Sequence, residues 1–221
     1  FTVIREMIQD AKAVEKPGND SNWRILLEGA LFEGRCGNRN NARDIFNHLM
    51  SKCKTFGPVF LEAAKYEERE GQLLHSIDIC ERGLDYNPSF NPLWFQYLRL
   101  YEKVDEDTRV KKFDGFDYII TDMLRHISKE FHWKIHMELA HCYSRLKNFE
   151  RSKEHLNKAV LDCPDSIKWK LFIVYSRILI NEGDLECARK CIERACYDVP
   201  PKQVSVALLE YAKYFEICGE T

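Results

Sequence analysis

The chain has 221 residues, a formal charge of −2 from 33 Lys and Arg against 35 Asp and Glu, and 45% hydrophobic residues with only 10 Gly and 7 Pro. That composition supports a packed helical protein and excludes a disordered chain, and the near balance of charge gives no bulk electrostatic reason for nucleic-acid binding. Nine cysteines form an odd set without a CxxC pair, which reads as buried thiols in a reducing intracellular compartment, and no apolar run approaches the roughly 18 residues of a membrane span.

Residues 1–20 read as an N-terminal helix and its ending, the tail of an earlier repeat: Val3, Ile4, Met7, Ile8, Ala11 and Val14 make an apolar stripe, and Pro17-Gly18-Asn19-Asp20 stops it. From residue 21 to 221 one spacing recurs, and it is clearest in Trp169–Pro200. Phe172, Ser176, Leu179 and Gly183 follow Trp169 at three, seven, ten and fourteen places; Ala188, Ile192, Ala195 and Pro200 follow at nineteen, twenty-three, twenty-six and thirty-one. Each half keeps the three-and-four spacing of an amphipathic helix, and Gly183 stands where the first must end and reverse. Such a hairpin cannot bury both faces alone and needs copies of itself alongside.

The copies come in order. Trp23 starts one with Leu26, Ala30, Glu33, Gly37, Ala42, Phe46 and Leu49; Gly57 starts another with Phe60, Ala64, Glu67, Gly71, Ser76, Cys80, Gly83 and Pro88. Asn91 begins a third with Trp94, Leu98 and Tyr101, after which residues 103–115 read as an insertion and the partner helix resumes near residues 116–129. Trp133 restarts the pattern, with Lys147-Asn148 as the turn; Trp169 follows, and Ser205 opens a last half-copy with Leu208, Ala212, Phe215 and Gly219. The chain halts inside that half-copy, which reads as a piece of a longer protein. The expected architecture is all-α: a right-handed superhelical solenoid of antiparallel helix pairs, continuous over 21–221.

The period and the segments ARDIF (42–46), ICERGLDYNP (79–88), PLWFQYLRLYE (92–102), CARKCIERA (187–195) and YAKYFEICGE (211–220) resemble half-a-TPR (HAT) repeats, relatives of tetratricopeptide repeats. The resemblance covers roughly 23–221. It implies scaffolding in nuclear RNA-processing assemblies such as splicing, 3′-end processing or ribosome biogenesis, with homodimerisation as a further family habit. It also suggests a structural ion pair between Glu33 and Arg43 of one hairpin.

Stacking the copies exposes two columns on the first helices. Eight places after each start come Leu31, Lys65, Arg99, His141, Arg177 and Lys213; twelve after come Arg35, Arg69, Lys103, Arg145, Asn181 and Ile217. Residues four apart share a helix face. Eight of these twelve are Lys or Arg, where 33 in 221 residues would put about two. Lys65, Arg69, Arg99, Lys103, His141, Arg145, Arg177 and Lys213 are therefore the candidate partner-binding residues, a basic stripe along the concave face for an acidic or extended peptide. The alternative is a set of solvated helix faces, with Glu68, Glu102 and Glu216 neutralising part of the field. Direct RNA binding through the stripe is less favoured, and a peptide-binding adaptor unrelated to RNA is the other reading.

Other constellations carry less. Trp23, Trp94, Trp133 and Trp169 fall at repeat-defining places and read as packing between hairpins. His132 and His136 are four apart, but Ala140 supplies no third ligand on that face, and Cys187 with Cys191 lacks a helical histidine. A chaperone-tail clamp would need Lys and Asn where Leu27 and Leu31 stand. The acidic and basic residues of the insertion, Asp105-Glu106-Asp107 and Arg109-Val110-Lys111-Lys112, read as a loop or as a docking feature at one edge. No GxSxG, P-loop, dinucleotide fingerprint or paired-carboxylate context appears, so no enzymatic activity, cofactor or metal is expected.

Overall fold

A small residue on one helix meeting a small residue twelve places later on the next closes each hairpin. In a computed structural model that describes residues 6, 10, 22–104 and 116–219, Ser76 Oγ donates to the carbonyl of Ala64 at 2.6 Å and Ser152 Oγ to that of Ala140 at 2.7 Å. Ala30 with Ala42 and Ser176 with Ala188 occupy the same two places and are also buried. Side chains this short let two helix backbones approach closely. Every regular element among the described residues is helical.

The chain divides into two compact units, Phe1–Ile119 and Ile120–Thr221. The first holds α1 (Asn22–Arg35), α2 (Arg39–Lys52), α3 (Gly57–Arg69), α4 (Leu73–Tyr86), α5 (Asn91–Lys103) and the start of α6 (Phe116–His126). Helices α1 with α2 and α3 with α4 form hairpins, and α5 packs on both helices of the second. Gly83 permits that packing: a Cβ there would lie 2.7 Å from Phe60 Cβ and 2.7 Å from Leu93 Cδ2. The expected N-terminal helix lies outside the described residues apart from helical Glu6 and Asp10. So does the insertion beyond Val104, and α6 resumes at Phe116, whose ring meets Tyr101 edge-on at 4.9 Å.

The second unit holds the rest of α6, α7 (His132–Arg145), α8 (Phe149–Asp162), α9 (Asp165–Glu182), α10 (Leu185–Asp198) and α11 (Val204–Cys218). Helices α7 with α8 and α9 with α10 pair, and α11 lies against α10. Helix α9 begins at Asp165, four places ahead of the repeat start at Trp169, because Pro164 ends the preceding chain and Asp165 favours the positive end of the helix dipole. Trp133 packs with Ala159, Cys163 and Leu171, and Trp169 with Ala195, Val199 and Ala207.

The four hairpin turns are built alike. The amide of the residue opening each second helix reaches back over the turn, Asn38 to Glu33, Gln72 to Glu67, Asn148 to Tyr143 and Asp184 to Leu179. This closure needs a left-handed residue just before it. Gly37, Gly71 and Gly183 supply it with φ of 79°, 76° and 94°, whereas the third turn uses Lys147 at φ 59°. A side chain there carries a steric penalty that glycine lacks, so Lys147→Gly is expected to stabilise the second unit by roughly 0.5–1 kcal/mol. A urea titration followed by circular dichroism checks this; a lower midpoint for the variant would refute it.

The expectation of buried thiols needs correction. Cys80, Cys142 and Cys163 are buried, but Cys36 and Cys187 are exposed. Cys36 sits in the first turn between helices and Cys187 in the opening turn of α10, where backbone reversal keeps side chains in solvent.

Candidate partner-binding surface

The basic columns lie on first helices in both units, and each unit ties part of them to carboxylates. In the first, Lys65 on α3 reaches Glu62 at 2.8 Å, one turn earlier on the same helix. Lys103 on α5 bonds to Glu68 of α3, whose other oxygen accepts from Gln96 Nε2 at 2.6 Å. Desolvation pushes the Glu68 carboxyl up, but the bonds from Lys103 and Gln96 outweigh it and leave the group below its ordinary value. Arg99 is exposed and adds its field to the same carboxylate. Arg69, in the last turn of α3, is exposed.

In the second unit, His141 is half-buried on α7, and Arg145 is exposed with Nη2 3.6 Å from Cys142 Sγ. Arg177 on α9 grips Glu210 of α11 with both ends of its guanidinium, Nε to Oε2 at 2.9 Å and Nη2 to Oε1 at 2.8 Å. Lys213 adds a third contact at 2.8 Å. Arg177 first, then Lys213, hold the Glu210 carboxyl down to about 2. The fork geometry of a guanidinium on a carboxylate adds orientation to charge, so this pair fixes α11 against α9.

Four of the eight residues hold carboxylates among the described residues. Lys103 and Arg177 cross between first helices, and Lys65 and Lys213 are held by glutamates on their own helices. Arg69, Arg99 and Arg145 are exposed, and Arg145 Nη2 lies against Cys142 Sγ. Glu210 was not apparent from the columns, since it lies outside both offsets and only the fold places it opposite Arg177.

Glu33 and Arg43 do not pair with one another. Arg43 on α2 turns to the next repeat and binds Glu67 of α3 bidentately, Nε to Oε1 at 2.8 Å and Nη2 to Oε2 at 2.7 Å. The buried Glu33 carboxylate is claimed by its own turn, accepting from Asn38 Nδ2 at 2.6 Å. The ion pair therefore bridges two repeats.

The histidines also find protein partners. His132 Nε2 lies 3.0 Å from the Ile127 carbonyl, and His136 Nδ1 lies 3.1 Å from His155 Nδ1 across the α7–α8 hairpin. Among the described residues no three His, Cys, Asp or Glu side chains are grouped to hold a metal ion. The tryptophans pack: Trp94, Trp133 and Trp169 are buried, Trp94 Nε1 donates to the Pro88 carbonyl at 2.7 Å, and Trp23 lies against Phe56 with ring centres 4.0 Å apart. Leu27 is buried, as a clamp residue could not be. No helix among the described residues is long and apolar enough to cross a membrane.

Hairpins crossing on small residues, with left-handed turn residues at a fixed place, define a tetratricopeptide-like helical repeat protein. The chain belongs to the PRP6 TPR-like domain family, which matches residues 3–221. A TPR-containing protein of Dictyostelium discoideum is 38% identical over 149 residues, covering 66% of this chain and 11% of that protein. The pre-mRNA-splicing factor CLF1 of Paracoccidioides brasiliensis is 23% identical over 203 residues, covering 83% of this chain. The chain thus spans 11% and 29% of the lengths of these two relatives. Two solved structures share the fold: a thermophilic TPR protein of Thermus thermophilus (TM-score 0.56, 12% identity, covering 89% of this chain and 98% of that one) and a tetratricopeptide repeat protein of Parabacteroides merdae (TM-score 0.53, 13% identity, 100% and 88%).

Proposed function

We propose that residues 21–221 act as one repeat array, a non-enzymatic scaffold that holds proteins together in a nuclear RNA-processing assembly, with splicing as the favoured setting. The observation that carries this reading is the match to the PRP6 TPR-like domain over nearly the whole chain; the likeness to a pre-mRNA-splicing factor supports the setting. The basic columns supply the contact, with Arg69, Arg99 and Arg145 meeting an acidic, extended segment of a protein partner and Lys65, Lys103, His141, Arg177 and Lys213 extending the field.

Charge reversal at Arg69, Arg99 and Arg145 tests it, because all three are exposed. The triple Glu variant should fold normally yet bind a fluorescent Asp/Glu-rich peptide roughly tenfold or more weakly at low salt, each surface contact contributing up to about 1 kcal/mol. Equal binding by the variant would overturn the site. A single-stranded RNA oligomer is the counter-probe: tight binding to RNA with a steep salt dependence would favour direct RNA recognition instead.

A further inference from the structure

A recess opens between α2 and α4 over α3, inside the first unit. Phe46, Met50, Ala63 and Ile79 are buried in its walls, Asn47 and His75 are exposed at its mouth, and it holds about 250 Å³, part of it open to solvent. The repeat register explains the gap. Ala63 stands six places after its repeat start, where α5, α9 and α11 carry Tyr97, Tyr175 and Tyr211 and α7 has the buried Leu139. Each tyrosine reaches back to the second helix of the preceding hairpin. Tyr97 Oη donates to Glu81 Oε1 at 3.0 Å, Tyr175 Oη to Asn157 Oδ1 at 3.3 Å and Tyr211 Oη to Glu193 Oε1 at 3.0 Å. All three acceptors lie twenty-four places after a repeat start, and the residue at that place in the hairpin before Ala63 is Asn47. The surroundings correspond too. Tyr175 packs with Leu156, which holds the place of Phe46, and the fields of Cys191, Lys153 and Cys187, at the places of Ile79, Arg43 and His75, reach its hydroxyl. Alanine at position 63 thus leaves open what other copies close with a phenol.

We propose that this recess binds the tyrosyl side chain of a partner protein, its ring against Phe46, Met50, Ala63 and Ile79 and its hydroxyl donating to Asn47. Burial of the ring supplies the attraction, and the Asn47 amide supplies the preference for a phenol over a plain phenyl ring, since a tyrosine hydroxyl taken out of water needs an acceptor. The chain does not supply the ring itself: all ten of its tyrosines lie among the described residues, and none of them lines the recess. None of the eight column residues lines it either. The inference therefore rests on the scaffold reading only in that the ring belongs to a protein.

The probe is a capped Gly-Ser-Tyr-Ser-Gly peptide, titrated into the 221-residue protein with methyl-labelled methionine and alanine and followed by nuclear magnetic resonance. The Met50 and Ala63 methyl signals should shift saturably, and the peptide with phenylalanine in place of tyrosine should bind roughly threefold or more weakly. Asn47→Ala, an exposed change, should remove that preference while leaving the circular dichroism spectrum intact. Ala63→Tyr, which places in α3 the residue that α5, α9 and α11 already carry, should close the recess and abolish the Met50 shift. The triple Glu variant of Arg69, Arg99 and Arg145 should bind the peptide as the parent does, so failure of the columns would leave this site standing. Absence of saturable shifts overturns the proposal, as does equal binding of the phenylalanine peptide or a preference for tyrosine that survives Asn47→Ala. Binding of p-cresol without binding of the peptide would assign the recess to a small phenol, and dimerisation that Ala63→Tyr abolishes in sedimentation would assign it to a second copy; either result overturns it equally.

Discussion

Replacing Arg43 with Ala is expected to destabilise the first unit by about 2–4 kcal/mol, seen as a lower urea midpoint with an unchanged slope. The Glu67 side chain is 4% exposed and both its oxygens accept from the Arg43 guanidinium. Removing the arginine leaves a carboxylate without its counter-ion inside the hairpin stack, and an orphaned buried charge costs about 3–5 kcal/mol. The lower end of the expected range reflects the 36% exposure of the Arg43 side chain, which lets water reach the vacated position. The reciprocal Glu67→Gln should cost less, since Arg43 can return to solvent. The double variant Arg43→Met/Glu67→Leu should recover much of the loss, because an apolar pair of similar volume needs no desolvation of charge. If Arg43→Ala stays within about 0.5 kcal/mol of the parent, the pair is a surface contact of the ordinary kind and the bridging role fails.

This pair also shows where reading the sequence stops. The places of Ala30, Ala64, Ala140 and Ser176 could be read from spacing alone, because a helix crossing admits only small residues and the period repeats the requirement. The turn at Lys147 could be read for the same reason, although only the backbone shows that it is held left-handed. Partners of long charged side chains follow no such period. Glu33 and Glu67 stand at equivalent places of successive repeats, yet Arg43 bonds to Glu67 while Asn38 bonds to Glu33. Glu210 is similar: nothing in its own repeat announces it, and it takes Arg177 because α9 and α11 lie side by side. Thus the helix pairs were legible, whereas the carboxylate partners of Arg43, Lys103 and Arg177 were not.

Acidifying the protein from about pH 6.5 to about pH 5 is expected to lower its stability by about 2 kcal/mol, and His155 is the group responsible. His155 on α8 and His136 on α7 are both buried, their Nδ1 atoms 3.1 Å apart, and the Tyr143 ring stacks on His155 at 5.4 Å. One Nδ1 must donate and the other accept, so the contact exists only while at least one ring is neutral. Burial first, then the field of His136 and of Lys158, lowers His155 from 6.5 to about 4; Glu154 opposes this and Arg151 adds to it. Burial lowers His136 as well, with Lys158 and His132 acting in the same sense and Asp162 and Glu154 against it. A histidine whose folded value lies below its unfolded one stabilises the fold fully above the unfolded value and loses that contribution as pH falls toward the folded value. The window therefore opens near 6.5 and closes near 4. Depressed carboxylates such as Glu210 keep their contribution until the pH drops through their unfolded value of 4.5, so the upper part of the window belongs to the histidines. Urea midpoints measured across this range should fall for the parent and fall distinctly less for His155→Phe, which keeps a ring beside Tyr143 and cannot take up a proton, the remaining slope coming from His136. A parent midpoint that does not move over that acid step would mean that this hairpin accepts a charged histidine without opening, and the buried pair would not set the acid limit of the second unit.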